Sequence, residues 1–243
     1  MVLYIKERSL SMLKKDLILR NPLRLLGAET DEVLPPGGFG AVVARAGVGK
    51  TALMVQLALN SLLRDRNVLH ISLADPVGKV TLWYEEVFRS LADQYDNAQI
   101  NRLRDAILAH RFIMTFQVEG FSVPKLTERL TDLTEQGIFT PRMMLIDGLP
   151  FDDQVRPLLS ELKELALQQD LHVWLSVRSH RHEEPGPDGL PAQLAAVADL
   201  FEAAIALQPE GKQIHIRALR GGRANVGETQ LFLDPSSMLI KKK

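Results

Sequence analysis

The stretch Phe39-Gly-Ala-Val-Val-Ala-Arg-Ala-Gly-Val-Gly-Lys-Thr51 decides how this chain is read. Its first half, FGAVVA, fits a buried strand, and beyond it Leu53, Met54, Leu57, Ala58 and Leu62 recur at helical spacing. A turn that holds phosphate between a strand and a helix needs glycine where the backbone approaches the anion or takes positive φ. It also needs a helix amino terminus aimed at the anion, a lysine for the β and γ oxygens, and a hydroxyl for magnesium. Gly47 and Gly49 shape such a nest, Lys50 is the phosphate cation and Thr51 the magnesium ligand. Arg45, Ala46, Val48 and Ala52 complete the cradle. The pattern departs from G-x-x-x-x-G-K-[ST] at its first glycine, which is Ala44 here, and this constrains the loop without removing a donor. The plainer alternative is a glycine turn joining any strand to any helix.

Outward from the loop, the short apolar runs Val68 to Leu73, Arg111 to Val118, Met143 to Ile146 and Leu171 to Val177 join Gly40 to Ala44 as buried strands. Between them Leu126, Leu130 and Leu133, and then Val155, Leu158, Leu159, Leu162 and Leu165, mark helices. Strands alternating with helices predict an α/β protein with a mainly parallel sheet covered on both faces. Gln213 to Leu219 alternates apolar and polar side chains, and Glu228 to Leu233 returns to strand composition, so a terminal antiparallel hairpin is expected at the sheet edge. Residues 1–24 read as a helical segment, with Leu10, Leu13, Leu17 and Ile18 at helical spacing. It is too short to fold alone and is expected to pack on its own core or on a neighbour. Residues 25–243 form the core domain.

With 243 residues, 46% hydrophobic and 24% charged, the chain has the profile of a globular protein able to bury one large core. Twenty-nine Lys plus Arg balance thirty Asp plus Glu, so no global positive field attracts nucleic acid or acidic lipid. The absence of cysteine excludes disulfides, thiolate metal sites and cysteine nucleophiles. No apolar run reaches membrane-spanning or signal-peptide length, which leaves the cytoplasm as the expected location. His180 and His182 with Glu183 and Glu184 form a weak metal-binding pattern in a loop, and Trp83 and Tyr84 read as packing rather than a base-stacking platform.

A magnesium-nucleotide site needs a carboxylate at the end of a neighbouring strand. RMMLIDG offers Asp147, whose other role is a turn residue before Gly148 and Pro150. Strands of a doubly wound sheet present ligands at their carboxyl ends, so Asp147 and the phosphate loop should share one rim.

Taken in order, DEVLPPGGFGAVVARAGVGKT, VLHISLADP, MMLIDGL, WLSVRSH and IRALRGGRANVGETQLFLD resemble the RecA-like P-loop ATPases, in particular the branch containing KaiC, RadA and the DnaB-type replicative helicases. The likeness runs from about Leu25 to Leu233. It rests most specifically on the PPGGFG approach segment and the terminal hairpin. The resemblance implies ATP with Mg2+ as the ligand pair, a homo-oligomer, and three further site residues. A catalytic carboxylate belongs at the end of the second strand, where Ala74 stands in the acid's place and Asp75 follows; Asp75 is the local candidate, with helix capping as its other reading. A polar γ-phosphate sensor belongs at the end of the strand after Asp147. Among Ser176, Arg178, Ser179 and His180 the choice falls on Ser176, which also reads as a hydrogen-bonded buried hydroxyl. Arg220 falls where the family's arginine finger reaches a neighbouring subunit, with Ala218 in place of a partnering lysine.

The loops that would track nucleic acid carry Asp152, Asp153, Glu183, Glu184 and Asp188, which disfavours a threaded nucleic-acid substrate. The expected function is slow Mg-dependent ATP hydrolysis at a subunit interface. The alternatives are a non-hydrolysing nucleotide-dependent protein-binding module and an accessory DNA-metabolism ATPase. Ala74 is the feature that separates the first two.

Overall fold

The computed structural model describes residues 2–21, 34–180, 190–221 and 231–242. The apolar runs become the parallel strands β1 (Phe39–Ala44), β2 (Val68–Ser72), β3 (Arg111–Thr115), β4 (Met143–Asp147) and β5 (His172–Arg178). A sixth parallel strand, β6 (Ala203–Glu210), follows them, and β7 (Gln213–Arg220), β8 (Leu231–Leu233) and β9 (Ile240–Lys242) run antiparallel beyond it. Together they form one nine-stranded sheet in the order β3-β2-β4-β5-β1-β6-β7-β8-β9. The α/β class, the mostly parallel sheet and the antiparallel carboxyl-terminal strands are those expected from the sequence.

Helices α1 (Val2–Arg20), α2 (Lys50–Leu62), α3 (Val77–Leu91), α4 (Asn97–Leu108), α5 (Val123–Glu135), α6 (Val155–Gln168) and the short α7 (Ala192–Ala195) cover the sheet. Successive strand residues point to opposite faces, and here both faces are apolar. Val42, Leu145 and Trp174 join a core with α2, α3 and Leu13 and Leu17 of α1, whereas Ala41, Val43, Val173, Leu175 and Val177 join a second core with α5 and α6. Gly40 is required by a close approach, since a Cβ there would lie 2.5 Å from the Trp174 ring. The indole of β5 therefore lies flat against β1.

Several boundaries differ from the sequence reading for physical reasons. β3 stops at Thr115 rather than Val118, because Val118–Gly120 forms a 3-10 turn. β7 does pair antiparallel with β8, but its longer partner is β6, joined through Gly211 and Lys212, with Gly211 at φ +62°. α1 packs on its own chain: Leu13 and Leu17 are buried, Asp16 accepts a hydrogen bond from Tyr95, and Lys14 pairs with Asp65. Tyr84 is fully buried and Trp83 packs against the same core, as the packing reading expects.

Beneath α3 lies a buried polar group of side chains. His70 Nδ1 and the Tyr84 hydroxyl are 3.1 Å apart, and the Arg111 guanidinium sits 4.5 Å from the Tyr84 ring centroid. Among the described residues, His70 Nε2 and Arg111 Nε and Nη1 have no hydrogen-bond partner. Burial pushes the His70 imidazole down to about 4, with Asp147 opposing and Arg111 adding to that effect. The unfolded chain therefore takes up this proton near the ordinary value of 6.5, before the folded chain does. Stability from this group is intact above about pH 6.5 and is lost as pH falls toward 4, by about 3 kcal/mol at the lower end. In urea unfolding series between pH 7.5 and 4, His70→Gln should show a correspondingly shallower loss than the wild type.

Candidate functional site

The parallel strands end at a common rim. The register sets Ser72 beside Asp147 and Ala44 beside Arg178, so the carboxyl ends of β1, β2, β4 and β5 lie together. At this rim the chain leaves β1 through α2 on one face, while the helices after β4 and β5 pack on the other. Oppositely directed connections open a crevice at the strand ends, the usual ligand position in such sheets.

The loop Arg45 to Gly49 turns through two glycines of positive φ, Gly47 at +75° and Gly49 at +104°. α2 then begins with no capping side chain and no acidic residue of its own in its first turn, so nothing in that turn offsets the positive end of the helix. Lys50 folds back over the loop, and its Nζ donates to the carbonyls of Ala44 and Arg45 at 3.0 Å each. Its pKa is lowered chiefly by burial and further by Arg178, with Asp147 pulling the other way. Arg45 and Ala46 are exposed, Val48 is buried, and Ala52 is fully enclosed in the core. Ala44 holds the loop through its carbonyl, which also accepts from the Ser179 N–H at 3.1 Å.

Thr51 Oγ1 donates to Asp147 Oδ2 at 2.7 Å, which joins the first turn of α2 to the end of β4. A hydroxyl beside a carboxylate is a set of hard oxygen donors, the chemistry that magnesium prefers. Thr51, Asp147 and Lys50 are thus brought together as the sequence suggests. Asp147 also anchors the neighbouring strand, because its carbonyl accepts from the Leu73 N–H at 2.9 Å.

Other candidates are placed differently. Ser176 is 3% exposed, and its Oγ accepts from the Gly148 N–H at 3.0 Å, so it braces the turn behind Asp147. Asp75 does not cap α3, whose N-cap is Pro76 with no side-chain bond. Instead its carboxylate pairs with Lys79 at 2.8 Å, and its main chain exchanges two hydrogen bonds with the Ser72 hydroxyl. Ala74 lies against Gly148: a Cβ on that glycine would be 3.0 Å from the Ala74 Cβ. Arg220 pairs across the sheet with Ala204, level with Ala41 rather than Ala44. It therefore lies away from the Gly47 and Gly49 turn of its own chain. Arg217 is engaged by Glu210 at 2.8 Å. Arg223, His182, Glu183, Glu184 and Asp188 fall outside the described residues.

Sequence reasoning passed over one of the residues it considered and missed another. Arg178 stands at the rim beside Ala44, and Leu233 of β8 closes over Gly49. β8 and β9 are held there by the buried Gln56 of α2, whose Nε2 donates to the Met238 carbonyl at 2.7 Å while its Oε1 accepts from the Ile240 N–H at 3.2 Å.

No protein-family model matches the chain, and no curated protein matches it.

The two loop glycines are not equivalent. A Cβ on Gly47 meets nothing within 4 Å, whereas one on Gly49 meets Leu233 Cδ2 at 2.6 Å. Gly47→Ala should cost about 1–2 kcal/mol from its left-handed backbone alone. Gly49→Ala should cost about 1–3 kcal/mol more, from overpacking against Leu233, when both are compared by urea denaturation.

Proposed function

We propose that the chain is a RecA-like P-loop protein that binds ATP with Mg2+ at this rim and hydrolyses it slowly. The observation that carries the reading is the meeting of Thr51 and Asp147 at 2.7 Å beside a lysine whose ammonium rests on the carbonyls of its own loop. Those carbonyls are weak partners for a cation whose pKa burial lowers, and a phosphate oxygen would be a better one.

The residues fit the ligand pair. Lys50 and the amides of residues 45–52 would hold the β- and γ-phosphates, with Gly47 leaving open space for their approach. Thr51 and Asp147 would hold the magnesium ion, which neutralises charge on the phosphates when bound. The chain's own part is to bind and orient, through amides and an ammonium set in place beforehand.

A second reading, a nucleotide-dependent switch that does not hydrolyse, is favoured by the end of β2. There Ala74 stands beside Gly148, and the carboxylate of the next residue, Asp75, is engaged by Lys79. Either job is compatible with self-association, and the balanced net charge of -1 gives no support to a threaded nucleic acid.

Calorimetric titration of Mg-ATP into the full chain tests the binding step. Wild type should bind, Lys50→Ala should lose at least about 10-fold in affinity, and Asp147→Asn should lose its dependence on magnesium. Phosphate release at saturating Mg-ATP then separates the two readings. Turnover above that of Lys50→Ala supports the ATPase, and a rate equal to it with binding intact supports the switch. No heat of binding from folded wild type would overturn both.

A further inference from the structure

One side chain of α2 is out of keeping with its surroundings. Gln56 is 3% exposed, on a helix whose residues from Ala52 to Leu59 are all buried. Its amide finds both partners outside the helix, in the turn between β8 and β9. Nε2 donates to the Met238 carbonyl at 2.7 Å, and Oε1 accepts from the Ile240 N–H at 3.2 Å. A buried amide without partners is costly, so Gln56 favours the arrangement with this turn docked over any in which it is lifted away.

The docked turn contains a residue that its own backbone disfavours. Met238 has φ +55°, in the left-handed region that a residue with a Cβ seldom adopts. Three hydrogen bonds keep it there: the Met238 N–H donates to the Asp234 carbonyl at 2.7 Å, the Asp234 N–H donates to the Leu239 carbonyl at 2.9 Å, and Gln56 donates to the Met238 carbonyl. Lys241 pairs with Asp234 across the same turn. β8 and β9 are three residues each, and β9 is the last strand of the sheet. Short elements at the edge of a sheet are among the first to open while the rest of a protein stays folded. Docked and opened forms of β8 and β9 are thus two discrete states, and Gln56 biases the first.

The docked state reaches the glycine loop directly. Ile240, whose N–H Gln56 holds, is the register partner of Leu233, and a Cβ on Gly49 would meet Leu233 Cδ2 at 2.6 Å. Gly49 is the N-cap of α2, at φ +104° and ψ 18°, so its conformation directs the first amides of that helix. On the nucleotide-binding reading given above, we propose that Gln56 is a positioning residue for the phosphate loop. It docks β8 and β9, these hold Gly49 in the shape that receives phosphate, and docking and nucleotide binding stabilise each other. The coupling is reciprocal, so bound nucleotide resists opening of β8 and β9 as much as their docking favours binding. It acts through loop amides that a diphosphate and a triphosphate share, and does not distinguish the two.

Hydrogen exchange of the full-length wild type, followed by mass spectrometry, reads the coupling without any substitution. With Mg-ATP at about 100 times its Kd, the amides of residues 231–242 should exchange at least about 10-fold more slowly, and those of β3, the opposite edge of the sheet, should change by less than about 2-fold. Calorimetric titration then compares wild type with Gln56→Met, which keeps the length of the side chain and removes both hydrogen bonds, and with Lys241→Ala, which loosens the turn from its exposed side. Gln56→Met should weaken Mg-ATP and Mg-ADP alike by about 5- to 50-fold and lose the exchange protection. Lys241→Ala should move both readouts in the same direction by a smaller factor. A packing role alone would lower the urea midpoint of Gln56→Met and leave its nucleotide affinities at the wild-type values, which overturns the proposal. Equal slowing at β3 and at residues 231–242 overturns it too. Should Gln56→Met not fold, Lys241→Ala decides with the wild-type exchange, an unchanged affinity overturning the proposal. Wild type that gives no heat with either nucleotide defeats the underlying reading, whereas binding without protection of residues 231–242 defeats only the role of Gln56.

Discussion

The hydrogen bond from Thr51 to Asp147 spans two strands that are not neighbours. β5 lies between β1, which leads into the phosphate loop, and β4, which carries the carboxylate. Strands sit about 4.8 Å apart, so the two chain ends are separated by roughly 10 Å at the level of the sheet. The gap closes because α2 does not lie over its own strand alone but leans across β5 and β4, contacting both. That lean depends on β5 packing tightly on β1, which the missing side chain of Gly40 permits by admitting the Trp174 ring. A packing decision midway along the sheet thus sets the geometry of donors at its rim.

The loop is also held from outside the parallel sheet. Leu233 is fully buried and covers Gly49, and the neighbouring turn is fastened to α2 through the Gln56 amide. A buried amide is costly unless both of its ends are satisfied, and here the carbonyl oxygen and the NH2 group each find a main-chain partner. Asp234 is held well below the usual carboxylate range, first by Lys241 and then by the Ser236 N–H, so the turn between β8 and β9 is fixed by its own charge pairing. β8 therefore forms one wall of the glycine loop, and any movement of Gly49 must be shared with it.

Much of this was legible in the sequence, because the signals were local. The strand FGAVVA, the glycines, Lys50 and Thr51 form a contiguous stretch, and Asp147 follows an apolar run that leaves it only one rim to occupy. β6 was not legible, because AAIALQPE is alanine-rich and contains a proline, and it becomes a strand by pairing with both β1 and β7. β9 is too short to show a period, and α4 buries only Leu103 and Ile107 of its twelve residues. The sensor and finger positions were less legible for another reason. Their readings depended on which way a side chain points and on where a strand ends relative to its neighbours, and spacing along one segment fixes neither. Arg178 was in view within VWLSVRSH, yet only the core assignment of Trp174 shows which face it takes.

The end of β2 bears on which of the two proposed readings the rim supports. Asp147 is placed partly by its neighbour strand, through the bond from the Leu73 N–H to its carbonyl. The chain then turns at Gly148, with φ +90°, directly against Ala74. Where a glycine and an alanine approach this closely, neither position has room for a larger side chain without moving the other. Ser72 uses its hydroxyl to close the turn onto Asp75, and Asp75 is drawn by Lys79 onto the flank of α3, where its charge favours the helix amino terminus. These contacts commit Ser72 and Asp75 to the turn and to α3, away from the Thr51–Asp147 pair. The placement of the Asp147 carboxylate beside Thr51 and the engagement of Asp75 by Lys79 thus belong to one packed corner of the rim.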